Sequence, residues 1–327
     1  MKISVLIPTY RRSKDLLRCL NALKQQNRLP DEVLVVVRDS DTETWEALES
    51  YVIASLPLKT ATVSTPGQVA ALNLGIDAAM GDIIAITDDD AAPFPHWLER
   101  IEFHFASDPQ VGGVGGRDWL YIGGTDLEEG SSPVVGRVQW FGRVVGRHNL
   151  GVGEPREVDV LKGANMSYRQ RAIANLTFDA SLLGQGAQVH NDLAFSLSVK
   201  RAGWKLIYDP SVEINHYQAK RFDDDQRDQF NETAFFNAVH NETVALLHFL
   251  PFHRQLIFLV WAYLVGTRKA FGFVQWCRFL PKEGNRANQK WWTSIRGRWS
   301  GVKTWWQKRR QHEHQSEAVS VTTSEAR

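Results

Sequence analysis

Cysteine is scarce in this sequence: Cys19 and Cys277 are the only two among 327 residues. They lack metal-ligand spacing and build no disulfide framework, which suits a reducing compartment. No apolar run is long enough to span a bilayer. Residues 256–265 form an apolar segment that falls well short of the ~20 residues a spanning helix needs. A buried, interfacial or re-entrant helix is the expectation there. A leader is not expected either, because Met1-Lys2-Ile3-Ser4-Val5-Leu6-Ile7-Pro8 is too short and too early for a secretory core and reads as a first strand. The body is therefore expected in the cytoplasm. No internal repeat is visible, and net charge is nearly absent at +1. That balance conceals an asymmetry: residues 1–267 carry 25 basic and 33 acidic side chains, whereas 268–327 carry 13 and 4. What remains is a globular composition, at a length for one large domain or a domain with an appendage.

The most informative stretch is Ile83-Ile84-Ala85-Ile86-Thr87-Asp88-Asp89-Asp90. An apolar run between Gly81-Asp82 and Pro93 reads as a strand buried on both faces of a parallel sheet. Ligands of such sheets sit at the carboxyl ends of strands. Three adjacent carboxylates repel one another and are costly at the edge of a core unless a cation neutralises them. Asp88 and Asp90 alternate to the same side of an extended chain. Both can face one oxygen-loving divalent ion, Mn²⁺ or Mg²⁺, which would suit a diphosphate leaving group. The competing reading is a solvated acidic turn before a helix that starts near His96.

Upstream, strand and helix alternate. After the first strand, Ser13 is placed to cap a helix with Leu16, Leu17, Leu20 and Leu23 on one face. Residues 32–37 form a second apolar strand followed by Asp39 and Asp41. A helix with Trp45, Leu48, Tyr51 and Val52 on one side comes next, then a short strand at 61–63 and a helix opened by Gly67. This is the pattern of a parallel sheet covered by helices on both faces.

Taken together, Val5-Leu6-Ile7-Pro8-Thr9-Tyr10-Arg11-Arg12, Glu32-Val33-Leu34-Val35-Val36-Val37, Asn73-Leu74-Gly75 and Gly81-Asp82-Ile83-Ile84 leading into Asp88-Asp89-Asp90 resemble the nucleotide-sugar half of family 2 glycosyltransferases. Downstream, Lys162-Gly163-Ala164-Asn165-Met166-Ser167-Tyr168-Arg169, Phe178-Asp179, Gly184-Gln185-Gly186, Asn191-Asp192-Leu193 and Val212-Glu213-Ile214-Asn215-His216 extend the likeness over roughly 1–217. The resemblance implies a GT-A fold: a Rossmann-like, mostly parallel α/β sheet with a nucleotide-sugar half (1–116) and an acceptor half (117–217). It implies that Pro8, Thr9, Tyr10, Arg11, Asn73, Asp88 and Asp89 border a nucleotide-diphosphate sugar. Asp88 and Asp90 would hold the metal, His216 would reach it or the diphosphate, and Asp192 would be the catalytic base of an inverting transfer. Gly163, Ala164 and Asn165 would lie under the acceptor, with Trp119 or Tyr121 lining its groove. Three positions depart from the pattern. Val37-Arg38 stands where an acid usually meets the base, so Asp39 or Asp41 must substitute. Ala71 replaces an arginine near the diphosphate, and Asn191 replaces an acid. These departures leave room for a non-catalytic sugar-nucleotide-binding or scaffold subunit, whereas Asp88, Asp90, Asp192 and His216 favour an enzyme of polysaccharide or glycolipid synthesis.

For Asp192 the plain alternative is a helix N-cap; for Asp39 and Asp41, solvated turn acids; for His216, a hydrogen-bonded core residue. Residues 123–153 read as an irregular surface connection. Beyond His216, Asp223-Asp224-Asp225 precedes a helical stretch to about His248. Six tryptophans, Trp276, Trp291, Trp292, Trp299, Trp305 and Trp306, then stand among lysines and arginines. Indole and cation together favour the headgroup layer of an anionic bilayer. Peripheral contact with the inner face of the cell membrane through 256–310, beside a glycan or lipid-linked acceptor, is therefore expected. The same composition could stack on nucleic acid, but no nucleic-acid module accompanies it and nucleic acid is not an expected partner. Residues 218–310 read as a helical extension and 311–327 as a disordered tail.

Overall fold

The structure, a computed structural model, describes residues 1–51, 56–123, 126–222 and 230–325. Val52 and Asp223-Asp224-Asp225, singled out above, lie outside the described residues. The first half alternates as the pattern predicts: β1 (Ile3–Thr9), α1 (Ser13–Lys24), β2 (Glu32–Arg38), α2 (Thr42–Glu49), β3 (Leu58–Val63), α3 (Gln68–Ala78) and β4 (Ile83–Thr87). Successive residues of a strand point to opposite faces. Thus Val5, Val35 and Ala85 enter one apolar layer with Leu16, Leu20 and Trp97. Leu6, Leu34 and Ile86 enter the other with Leu72, Phe195 and Tyr208. Both faces of the sheet are covered, which is why these strands carry uninterrupted apolar runs.

The chain continues through β5 (Ala91–Pro93), α4 (Trp97–Ser107), β6 (Val111–Ile122), β7 (Asp126–Leu127), β8 (Arg137–Val138), β9 (Val144–Val145), β10 (Arg156–Val158), β11 (Asn165–Arg169), α5 (Gln170–Ile173), α6 (Asn191–Arg201) and β12 (Lys205–Tyr217). The large sheet runs β10-β12-β6-β11-β4-β1-β2-β3, with β5 on β12 and β7 on β6. β1 to β4 are parallel. β11 enters antiparallel between β4 and β6, and β6 and β12 are again parallel. Between Asp209 and Ile214 the pairing of β12 with β6 shifts register. Gly116 makes this close approach feasible, since a Cβ there would lie 1.9 Å from the Val212 carbonyl oxygen.

Two local expectations are corrected. Ser13 is the first helical residue and not the cap of α1, because Arg12 occupies the cap position; the Ser13 hydroxyl donates instead to Glu43 Oε1 at 2.6 Å. Residues 123–153 are not wholly irregular, since β8 and β9 pair as a hairpin.

The extension comprises α7 (Glu232–Phe249), α8 (Phe252–Leu264), the hairpin β13 (Gly266–Thr267) and β14 (Ala270–Phe271), α9 (Phe273–Glu283) and α10 (Asn285–Glu325). Helix α10 continues through the stretch read as disordered from 311; no glycine or proline after Gly301 stops it. The extension shares an apolar cluster with the sheet-bearing part: Leu193 and Leu197 of α6 pack with Leu246, Leu247, Phe258 and Ala262. Among the described residues no helix is long and apolar enough to cross a membrane.

Candidate active site

β4 delivers its three carboxylates in three directions. Asp89 turns inward, accepting from Thr9 Oγ1 at 2.8 Å and from Arg12 Nη1 at 2.9 Å. Burial and the charge of Asp90 raise its pKa, with Arg12 opposing. Asp90 is buried; its Oδ2 accepts from the Ala219 amide at 3.0 Å. Asp88 is half-buried and accepts from Gln68 Nε2 at 3.2 Å.

His216 arrives from 126 positions later through strand pairing. β12 runs antiparallel to β5 with His216 opposite Ala91, next in sequence to Asp90. His216 Nε2 lies 3.3 Å from Asp90 Oδ1, and Nδ1 lies 3.6 Å from Asp118 Oδ2. Burial disfavours the imidazolium, but Asp90 and Asp118 outweigh it and lift His216 to about 9. Burial likewise opposes the charge on Asp118, yet Lys162 Nζ at 2.5 Å and His216 hold it down to about 2. The same imidazole keeps Asp90 below the ordinary carboxylate range against its burial.

Asp88, Asp90 and His216 each offer a ligand atom, and these atoms lie within 4.8 Å of one another. Asp90 Oδ1 and His216 Nε2 are buried and make no hydrogen bond. Oxygen and imidazole donors gathered in this way fit a divalent cation such as Mn²⁺ or Mg²⁺. Asp118 is placed to orient His216 from behind, as carboxylates do for ligating histidines.

Asp192 lies in the first turn of α6, whose capping residue is His190 without a side-chain cap bond. Asp192 is therefore not the N-cap residue itself. Its Oδ1 accepts from the Leu193 amide at 2.8 Å and its Oδ2 from the Gly163 amide at 3.2 Å. Two bridges tie it to the acidic cluster. Lys162, which holds Asp118, adjoins Gly163, which holds Asp192. Gln68 donates to Asp88 and accepts from Asn191 Nδ2 at 3.2 Å. This also explains the missing acid: Asn191 Nδ2 faces Gln68 Oε1 and the carbonyls of Ala187 and Gln188. A carboxylate could donate to none of these acceptors.

The other expected residues fall as follows. Pro8 and Thr9 end β1 beside the acids. Tyr10 is exposed, with Arg11 over its ring at 5.1 Å. Asp41 is buried and occupied by Arg11 N, Thr44 N and Thr44 Oγ1, which leaves Asp39 as the exposed acid past β2. Asn73 clamps both backbone groups of Phe178. The Ala164 carbonyl accepts from Thr87. Asn165 is buried between Trp97 Nε1 and the Val212 carbonyl, a bracing position under the site. Trp119 donates to Glu213 Oε1 at 2.8 Å beneath the Arg117 guanidinium. Asp118 and Gln68 belong to no sequence motif, and Lys162, the first residue of the 162–169 motif, meets Asp118 only in the fold.

The profile of the family described as Glycosyl transferase family 2 matches residues 4–175. The chain belongs to that family. This family 2 glycosyltransferase is 23% identical over 226 residues to the glucosyl-dolichyl phosphate glucuronosyltransferase of Haloferax volcanii, covering 66% of the present chain and 69% of that protein. Other curated relatives are matched over only about a third of their own length. Among solved structures, Staphylococcus aureus TarS 1–349 with UDP-GlcNAc superposes with TM-score 0.60 at 18% identity, over 90% of this chain and 79% of that one. The mannosyltransferase PcManGT of Pyrobaculum calidifontis, with GDP-Man and Mn²⁺, gives 0.55 at 15%, over 92% and 87%. These likenesses establish the GT-A fold of the transferase.

Proposed function

We propose that this glycosyltransferase moves a sugar from a nucleotide-diphosphate sugar to a hydroxyl in a single inverting displacement, with Asp88, Asp90 and His216 holding Mn²⁺ or Mg²⁺ and Asp192 acting as base. The observation that carries the reading is a buried carboxylate oxygen and imidazole nitrogen, Asp90 Oδ1 and His216 Nε2, beside the half-buried Asp88, joined by Gln68-Asn191 and by Lys162-Gly163 to one separately held carboxylate. The bound ion would supply Lewis-acid stabilisation of the departing diphosphate. Asp192 takes the proton of the acceptor hydroxyl as its oxygen bonds to the anomeric carbon and the bond to the diphosphate breaks. The amides of Gly163 and Leu193 keep both carboxylate oxygens directed. Thr9 and Arg12 hold Asp89 away from the donor side.

UDP-GlcNAc and GDP-Man in the structural neighbours leave uridine and guanosine both open as the base of the donor. A relative named for a dolichyl phosphate glucoside supports a lipid-linked acceptor beside a free glycan, in glycolipid or polysaccharide assembly. The test is a thermal-shift panel of UDP-, GDP- and dTDP-sugars with and without Mn²⁺, followed by donor hydrolysis. One donor class is expected to raise the melting temperature in the presence of Mn²⁺ and to release its nucleoside diphosphate. Release that is indifferent to Mn²⁺ and to EDTA would remove the metal from the mechanism.

A further inference from the structure

Helix α8 presents one apolar stripe to solvent. Phe252, Leu256, Val260 and Leu264 recur every fourth residue, which puts them on one face, and each is more than half exposed. Phe258 and Ala262, on the opposite face, are buried against α6 and α7. At one end Arg254, on the side of α8 away from the stripe, donates through Nε to the Trp140 carbonyl at 2.7 Å and ties the β8–β9 turn to the helix. At the other, Phe273 and Val274 open α9, both about half exposed.

Charge says what covers this surface. Residues 243–282 contain no aspartate or glutamate, but they contain Arg254, Arg268, Lys269, Arg278 and Lys282. Among the described residues none of these five pairs with a carboxylate, in contrast to Lys290, Arg296 and Arg298 nearby. A thirteen-residue helix is about 20 Å long, too short for a ~30 Å hydrocarbon core. It suits the interfacial plane, with its apolar stripe down and its cations at the phosphates.

We infer that the α8 stripe seats the protein on an anionic bilayer. The exposed indoles of α10, Trp292, Trp299 and Trp306, are not the seat. The cations beside them, Lys290, Arg296, Arg298 and Lys308, are paired with carboxylates. The seat is also tied to the catalytic side. The β8–β9 hairpin that carries Trp140 hangs on Asp159, whose Oδ2 accepts from the Val138 amide at 2.8 Å. Asp159 stands three residues before Lys162, which bonds Asp118 and leads into the Gly163 that bonds Asp192. Only the relevance of this link to a lipid-linked acceptor rests on the transferase reading; the membrane seat itself does not.

The test is co-sedimentation of the full chain with phosphatidylglycerol/phosphatidylcholine vesicles and with phosphatidylcholine alone, at low and high salt. Binding is expected only with phosphatidylglycerol, weakened by salt, and lowered at least tenfold by Leu256→Asp with Val260→Asp. Trp299→Ala should bind as wild type. Because the aspartates sit at exposed positions, the double variant should keep the wild-type melting temperature and Mn²⁺-dependent donor hydrolysis. Hydrolysis without vesicles reports on the transferase reading separately. The inference is overturned by a wild type that ignores phosphatidylglycerol, by a double variant that still binds, by Trp299→Ala alone abolishing binding, or by a concentration-dependent dimer that the double variant dissolves.

Discussion

Asp192 is held by two main-chain amides, so its replacement can be made without moving it. Asp192→Asn keeps an acceptor oxygen for Gly163 but cannot take a proton. The expected outcome is a fall in kcat of about 10²-fold or more with the donor-induced thermal shift unchanged. Asp118 acts one step further back. Asp118→Asn leaves the three proposed metal ligands in place but loosens His216, and Mn²⁺ affinity is expected to fall about 10–100-fold, read by calorimetry or Mn²⁺ EPR without any turnover. Asp88 and Asp90 could be found in the sequence because an acid pair at the end of an apolar strand is a local pattern. The pairings of Asp118, Lys162 and Gln68 could not, because their partners come from strands and helices far away in the chain. Asn191 looked like a defect for the same reason: its three acceptors are visible only when the loop before α6 is folded.

At the scale of elements, β12 carries His216 to the site and is stapled to α4 through Asp209. That buried carboxylate accepts from Arg100 Nη2 at 2.6 Å and lies 2.7 Å from His104 Nε2. Burial raises its pKa, but these partners and the Ser211 amide outweigh it and hold Asp209 down to about 2. A carboxyl whose folded value lies below its unfolded value of about 3.9 stabilises the fold above that value and loses the contribution as pH falls through 2. Asp209→Asn is therefore expected to cost about 2 kcal/mol at pH 7. The gap between variant and wild type in urea unfolding should narrow as pH is lowered from 4 towards 3. The alternating strands and helices of the first half were legible, since each has its own periodicity. The antiparallel insertion of β11 was not, because residue pattern carries no strand order.

Across the whole molecule, the extension is bolted to the transferase core. Arg298 of α10, almost fully buried, donates to Glu242 at 2.7 Å and Thr243 at 3.0 Å of α7. Asn241 of α7 holds both Leu183 and Val189 in the loop that leads to Asp192. Arg298→Ala would strand Glu242 and open the packing between the helices, at a cost of about 3–5 kcal/mol in chemical unfolding. Because α7 braces the loop before Asp192, donor hydrolysis should fall with stability in that variant. An extension drawn from residue 218 onward by composition alone thus belongs mechanically to the site. Composition reports which residues are basic or aromatic, and it says nothing about which face of a helix meets the core.

The pairing of His216 with Ala91 has a consequence for biosynthesis. As the chain leaves the ribosome, β1 to β4 can assemble early, but the acids at their end meet their imidazole only after strand 205–217 has emerged and threaded between β6 and β10. Loop closure over such a span is slow, so over the 126 residues that separate Asp90 from His216 the growing polypeptide has Arg12 but no imidazole to offset its three carboxylates. The pocket proposed for sugar nucleotide and metal is therefore complete only when the last third of the chain is being made.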